Sequence, residues 1–163
     1  MNNAVIVGSV PSVKSHTADL ATRLVDEAGR ILAAALDRVS VDPDPLEALA
    51  QQGVAYRDTA LANPHLYGLM FGTAAPGFSP DAAGAEVAQA AYQPLVGGVQ
   101  RCLDAGVMYG STAERIALHL WAVSHGMVSL EIAGHLESDE QQRAAAYRDA
   151  LIYSSVPFLA SDT

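Results

Sequence analysis

The segment 111–134 constrains this fold more than any other, because it carries the signals that begin and end a helix around an interior that is apolar on nearly every face. Ser111, followed three residues later by Glu114, fits a capping box, and Gly134 fits a helix stop. Within 116–133 the few polar side chains are scattered around the helix. A helix without a polar stripe must be covered by other helices or by a second subunit.

The composition favours a single all-helical domain. The chain has 163 residues, half of them hydrophobic, which is enough for one substantial core. Alanine dominates the hydrophobic half, and alanine favours helix whereas β-branched residues favour strand. We therefore expect an all-α fold.

The charge of the chain argues against a surface that binds nucleic acid unaided. Nine basic residues stand against 18 acidic ones, and the formal net charge of -9 repels phosphate backbones and anionic lipids. No secretory leader is recognisable, and the two histidines and the glutamate within 116–133 argue against a membrane span. These features predict a cytoplasmic protein that does not bind membranes.

The residue pattern predicts six helices separated by proline and glycine signals. The first runs from Thr17 to Val39, and the Asp-Pro-Leu-Glu sequence at 44–47 starts a second that reaches about Ala62. Asn63 and Pro64 open a short third helix that Gly72 closes.

The last three predicted helices follow the loop 72–79. The fourth begins at 79–81 and reaches Ala105, with Pro94 inside it as a kink or as the start of a second piece. The fifth is 111–133, and the sixth begins at a capping box formed by Ser138 and Gln141. The predicted organisation is an irregular segment 1–16, one domain 17–158 and a tail 159–163.

Two runs resemble a known family at their observed separation: Ala-Asn-Pro-His-Leu-Tyr-Gly-Leu-Met-Phe at 62–71 and Leu-Trp-Ala-Val-Ser-His-Gly-Met-Val-Ser-Leu-Glu at 120–131. Together with the long first helix and the Asp-Pro-Leu-Glu start, they resemble the C-terminal regulatory domain of tetracycline-repressor (TetR) type transcription regulators. The subtype they resemble is named for its tryptophan, histidine and glycine, here Trp121, His125 and Gly126.

The resemblance implies a bundle of about six helices that binds a small effector and dimerises through its last two long helices, 111–133 and 139–156. Regulators of this type begin with a three-helix DNA-binding unit, which needs roughly 40 residues. The predicted first helix leaves 16 residues before it. We therefore expect the helix-turn-helix to be absent or truncated, no DNA-contacting residue in this chain, and DNA binding only in a longer form.

One face of the fifth helix is the candidate effector pocket. Trp121 and His125 lie one turn apart and project from the same face, while the short third helix offers Tyr67, Met70 and Phe71. A few polar groups in an apolar lining suit a small hydrophobic effector. The same residues at this spacing are also compatible with an ordinary core.

The surplus of apolar surface on the last two helices predicts a homodimer. The candidate interface residues are Ser129, Tyr147, Leu151 and Ser154. The alternative is that these side chains pack against the first two helices of their own chain.

The sequence offers no group of residues typical of catalysis, and we predict neither an enzyme nor a cofactor. The spacing of the five histidines does not suit a metal site, and Glu131 with His135 is more simply a local contact. Ser124 and His125 are neighbours on a helix and diverge by about 100°, so they cannot share a hydrogen bond. Cys102 lies on an apolar helix side, where a buried and inert thiol is expected.

The function predicted from the sequence is ligand-dependent regulation by a homodimer. The alternative is an interaction module that pairs with a full-length regulator and has neither ligand nor catalytic role. A small helical enzyme is a third possibility, and it lacks a convergent acid, base and nucleophile.

Overall fold

The computed structural model describes residues 13–39, 42–71, 82–136 and 139–160, with side chains from Leu20 in the first helix and from Gln89 in the fourth. The helices are α1 Val13–Arg38, α2 Pro45–Ala62, α3 Pro64–Phe71, α4 Ala82–Asp104, α5 Ala113–Ile132 and α6 Glu140–Ser155, followed by a short 3₁₀ helix Val156–Phe158. The described residues contain no strand beyond one isolated bridge. The predicted all-α bundle of six helices is therefore confirmed.

The second helix begins and ends where the sequence predicts, and the third helix begins where the sequence predicts. The Asp44 carboxylate accepts hydrogen bonds from the backbone N–H groups of Leu46 (2.9 Å) and Glu47 (3.3 Å), and Pro45 occupies the first helical position. Pro64 likewise begins α3. The predicted stop at Gly72 and start at 79–81 lie outside the described residues.

The starts of three helices, α1, α5 and α6, differ from the prediction. Helix α1 begins at Val13 instead of Thr17, so residues 13–16 are helical, since no proline or glycine lies between the two positions. The cap of α5 is Thr112, with an extended backbone and no side-chain hydrogen bond, so the predicted box at Ser111 is wrong.

Asp139 caps α6 by accepting from Gln142 N at 3.0 Å, in place of the predicted Ser138, which lies outside the described residues. Aspartate accepts the same bond as serine, and adjacent candidates compete for the cap position.

Gly134 ends α5 as predicted. The N–H of Gly134 donates to Glu131 O at 3.0 Å, and the N–H of His135 donates to Leu130 O at 2.9 Å, which together form a Schellman motif. The φ of Gly134 is +74°, a conformation that favours glycine. Helix α4, in contrast, continues through Pro94 as one helix.

Helix α5 packs against α2, α4 and α6, and its own chain covers only part of its surface. Ile116, Ala117 and Val128 are fully buried on one face. Leu118 and Leu130 remain 56% and 44% exposed. Within the described residues no helix is both long and apolar enough to cross a membrane.

A buried ion pair joins α2 to the end of α5 and the start of α6. Arg57 Nε and an Arg57 terminal nitrogen donate to the two carboxylate oxygens of Glu131 at 2.7 and 2.5 Å, and the two side chains are only 7% and 3% exposed. Arg143 also donates to Glu131, at 3.0 Å, and Arg57 reaches the exposed Glu140 at 2.9 Å. Glu131 therefore pairs across the bundle and not with His135, so that prediction is wrong.

We expect Glu131→Gln to lower the free energy of unfolding by about 3 kcal/mol, because it leaves buried Arg57 without its main counter-charge. Urea unfolding followed by circular dichroism measures this. Glu140→Gln is the matched control, because it neutralises the exposed partner of the same arginine and should change stability little. Equal stability of the two variants would contradict the assignment.

Candidate ligand cavity

A cavity of about 380 Å³ lies between α5 and helices α1 to α4. Tyr56, Phe71, Tyr92 and Trp121 give it an aromatic lining, to which leucine and methionine side chains add apolar surface. No described lining residue is charged. A cavity of this size and composition suits a small ligand.

The structure brings the five predicted pocket residues together, but not all of them line the cavity. Met70, Phe71 and Trp121 form part of its wall. Tyr67 and His125 lie behind that wall: the rings of Tyr67 and His125 are centred 4.9 and 4.6 Å from the ring of Phe71. The ring centres of Trp121 and His125 lie 6.0 Å apart, which is consistent with their spacing of one helical turn.

A chain of hydrogen bonds runs through this aromatic group. The Tyr67 hydroxyl lies 2.5 Å from His125 Nδ1 and 3.1 Å from the Tyr56 hydroxyl. With a neutral imidazole, Tyr67 donates to Nδ1 and accepts from Tyr56, which satisfies all three groups.

Burial keeps the side chains of Tyr56, Tyr67 and His125 uncharged. Removal from water lowers the pKa of His125 and raises the pKa values of Tyr56 and Tyr67, so each group holds its neutral form more firmly. An uncharged wall disfavours an ionic ligand at this position.

Sequence reasoning missed the contribution of α2. Gln52 and Tyr56 both line the cavity, and Gln52 is only 1% exposed. The Gln52 Nε2 donates to Pro94 O at 3.2 Å. A Cβ at position 98 would lie 2.5 Å from the Gln52 Oε1, so the observed position of this amide requires glycine at 98. The spacing of Leu49, Gln52 and Tyr56 on one helix face was the available signal.

The Ser124 hydroxyl and the Cys102 thiol each donate to a backbone carbonyl. The Ser124 hydroxyl donates to Leu120 O of its own helix at 2.9 Å, away from its neighbour His125. Cys102 is fully buried, and burial raises its pKa to about 11. In the described part of the chain, no group of three or more His, Cys, Asp or Glu residues is arranged to hold a metal.

Two of the four predicted interface residues, Tyr147 and Leu151, face their own core. Tyr147 is 1% exposed and donates to Gly53 O at 2.8 Å, and Leu151 contacts the same glycine position. The Ser154 hydroxyl bonds to Leu151 O at 2.9 Å, and Ser129 on α5 is half-buried. The structure thus corrects Tyr147 and Leu151 to core residues, because the side of α6 that carries them packs on α2.

The chain is similar to known regulatory proteins. A family model described as a tetracyclin repressor-like C-terminal domain matches residues 49–152. A solved structure of a protein with unknown function from Rhodococcus sp. RHA1 is 28% identical, with a TM-score of 0.71 over 87% of this chain and 72% of that one.

A second solved structure, of a protein described as regulatory and designated SCO4313, is 26% identical, with a TM-score of 0.69 over 86% of this chain and 74% of that one. No curated protein matches the chain significantly.

We expect His125 to make stability depend on pH. Burial lowers the pKa of His125 in the folded protein below the unfolded value of about 6.5. The stability that neutral His125 contributes is therefore complete above about pH 6.5 and is lost as the pH falls from there through the folded pKa. Asparagine can accept the Tyr67 hydrogen bond without titrating, so His125→Asn should flatten the loss of stability between about pH 7 and 5. Urea unfolding across this range tests it, and identical slopes would contradict the prediction.

Proposed function

Because the chain belongs to the family of tetracyclin repressor-like C-terminal domains, we propose that it binds a small hydrophobic effector and forms a homodimer in the cytoplasm. The observation that carries the effector proposal is the cavity of about 380 Å³, aromatic in lining and free of charged side chains among its described residues. We also assign it to the Trp-His-Gly subtype, since Trp121 lines this cavity and His125 supports its wall.

The position of Trp121 suits a sensing role. Its ring contacts Phe71 of α3 at 6.0 Å and Tyr92 of α4 at 5.9 Å between ring centres. A ligand between these rings would therefore alter how three helices pack. Such differential contact is what lets an effector shift a conformational equilibrium.

We expect the neutral fluorophore N-phenyl-1-naphthylamine to bind and to change the emission of Trp121, the single tryptophan. Ala91, 7% exposed, lines the cavity, so Ala91→Leu should fill it and weaken binding by about tenfold. Ala90→Leu, one residue away on the exposed side of α4, is the matched control and should bind as the wild type does. Fluorescence titration gives the affinities. Absence of binding to the wild type would refute the effector proposal.

The dimer proposal rests on the face of α5 that the protomer leaves open. Arg115, His119, Ala122, Leu130 and Ala133 are all exposed and lie on one side of the helix around Gly126. Ile152 on α6 and Val156 at the start of the following 3₁₀ helix are 57% and 56% exposed.

Gly126 supports close approach by a second helix. A Cβ at this position would meet nothing within 4 Å, so packing inside the protomer does not require glycine. Glycine in a helix interior costs about 1 kcal/mol relative to alanine. The small residues Ala122, Gly126 and Ala133 would let a partner helix pack against this face.

We expect Gly126→Gln to dissociate the dimer while keeping the helical fold, because the longer polar side chain separates the partner helices. Gly68 of α3 is the matched control, since a Cβ there also meets nothing within 4 Å. Gly68→Gln should leave the dimer intact. Sedimentation velocity and circular dichroism measure the two properties. A monomeric wild type, or a Gly126→Gln dimer as stable as the wild type, would contradict the proposal.

A further inference from the structure

The hydroxyl of Tyr56 connects the cavity wall to the hydrogen-bonded chain behind it. Tyr56 lines the cavity, and its hydroxyl lies 3.1 Å from that of Tyr67, which in turn contacts His125 Nδ1. Burial raises the pKa of Tyr56 most strongly, and a hydrogen-bonding interaction with Trp121, another lining residue, opposes the rise. The Tyr56 hydroxyl therefore lies where the chain meets the cavity wall.

Tyr56 differs from three other polar side chains of the lining in that its partner is a hydroxyl. Gln52, Tyr92 and Ser124 donate to backbone carbonyls at 3.2, 2.9 and 2.9 Å. A carbonyl only accepts, so each of these donor directions is fixed. Between two hydroxyls either oxygen can donate, so the direction of the bond from Tyr56 to Tyr67 depends on what Tyr67 meets on its other side.

Tyr67 meets His125 there, and the protonation state of His125 sets the direction of the chain. Neutral His125 accepts at Nδ1, so Tyr67 donates to it and Tyr56 donates to Tyr67. The Tyr56 oxygen can then only accept from the cavity. A proton taken up from water makes both ring nitrogens donors. Nδ1–H then donates to Tyr67, Tyr67 donates to Tyr56, and the Tyr56 O–H turns toward the cavity. The tyrosines only rotate their O–H bonds, and both keep their protons.

The surroundings of His125 allow it to take up this proton. His125 is half-buried, so its ring can exchange protons with solvent. Burial is the cause that lowers its pKa, and no charged side chain of the described residues adds to that shift. Helix α1 contributes apolar side chains to the surrounding cluster. The titratable groups that the other helices contribute are tyrosines: Tyr56 of α2, Tyr67 of α3, Tyr92 of α4 and Tyr147 of α6.

We infer that the chain from Tyr56 through Tyr67 to His125 is a proton-controlled selector of the ligand. With neutral His125 the cavity takes an uncharged ligand that donates a hydrogen bond, such as a hydroxyl or N–H compound. With protonated His125 it takes an uncharged ligand that accepts one, such as a ketone. This inference rests on the proposed effector function and specifies the ligand class and its regulation.

A second acceptor within reach of Tyr67 competes with Tyr56. The carbonyl oxygen of His125 lies 3.4 Å from the Tyr67 hydroxyl, which is farther than the 3.1 Å to Tyr56. This carbonyl belongs to the interior of α5, where the N–H four residues later already bonds to it. The Tyr56 oxygen is therefore the better acceptor once His125 is protonated.

Three bicyclic compounds of similar size test the full chain, because indole donates through its N–H, 1-indanone accepts through its carbonyl, and indene does neither. Calorimetry at pH 8 and pH 5.5 gives their affinities, and indene corrects for any general effect of pH on the cavity. Relative to indene, 1-indanone should bind about fivefold more tightly at pH 5.5 than at pH 8, and indole about fivefold more weakly. This change corresponds to about one neutral hydrogen bond gained or lost.

Histidine NMR measures the same coupling from the protein side, because the linkage between two sites is reciprocal. Saturating 1-indanone should raise the pKa of His125, and saturating indole should lower it. A purely structural contact between Tyr67 and His125 would give the same pKa with either ligand.

Variants that remove single hydroxyls locate the effect. Tyr67→Phe should abolish the pH dependence of both affinity ratios, because it interrupts the chain. Tyr56→Phe should remove the preference between donor and acceptor at either pH, because no hydroxyl of the chain then faces the cavity. Tyr147→Phe is the matched control and should keep the pH-dependent ratios, since Tyr147 is buried, donates to a backbone carbonyl and does not line the cavity.

The outcomes separate the selector from the effector function. Affinity ratios that stay constant between pH 8 and pH 5.5, or a Tyr67→Phe variant that keeps the wild-type pH dependence, would overturn the selector while leaving the cavity as an effector site. If neither these three compounds nor N-phenyl-1-naphthylamine binds at either pH, the effector function itself fails.

Discussion

The buried Arg57–Glu131 pair fixes the arrangement on which the cavity depends. It ties the middle of α2 to the last turn of α5, and Arg143 and Glu140 extend the contact to α6. Two buried charges are tolerated only when they pair closely, so the pair stabilises α2 and α5 in the observed register. That register places Gln52 and Tyr56 of α2 opposite Trp121 and Ser124 of α5, and these four residues form the cavity wall.

The helices were predictable from the sequence where the signal is local. The Asp44-Pro45 start, the Pro64 start and the Gly134 stop are set by capping and φ preferences within a few residues, and each prediction was correct. The Ser111 and Ser138 caps failed because the neighbouring Thr112 and Asp139, which are also capping residue types, occupy the cap positions. Periodicity does not decide between adjacent cap residues.

The cavity was only half predictable, because it depends on which helix faces meet. Met70, Phe71 and Trp121 were found from their types and spacing. The spacing of Gln52 marks a helix face, but no local pattern specifies which helices that face meets or that Tyr92 lies opposite it. The same limit explains why Tyr147 was assigned to the dimer interface. Its spacing marked an apolar face correctly, but only the packing of α6 on Gly53 shows that this face is internal.

Under the proposed function, helix α5 connects the ligand cavity to the dimer face. Its Trp121 side lines the cavity, and its Gly126 side is left open by the protomer. Under the proposed function, a ligand that shifted the backbone of α5 at Trp121 would also shift the open face, because both belong to one helix.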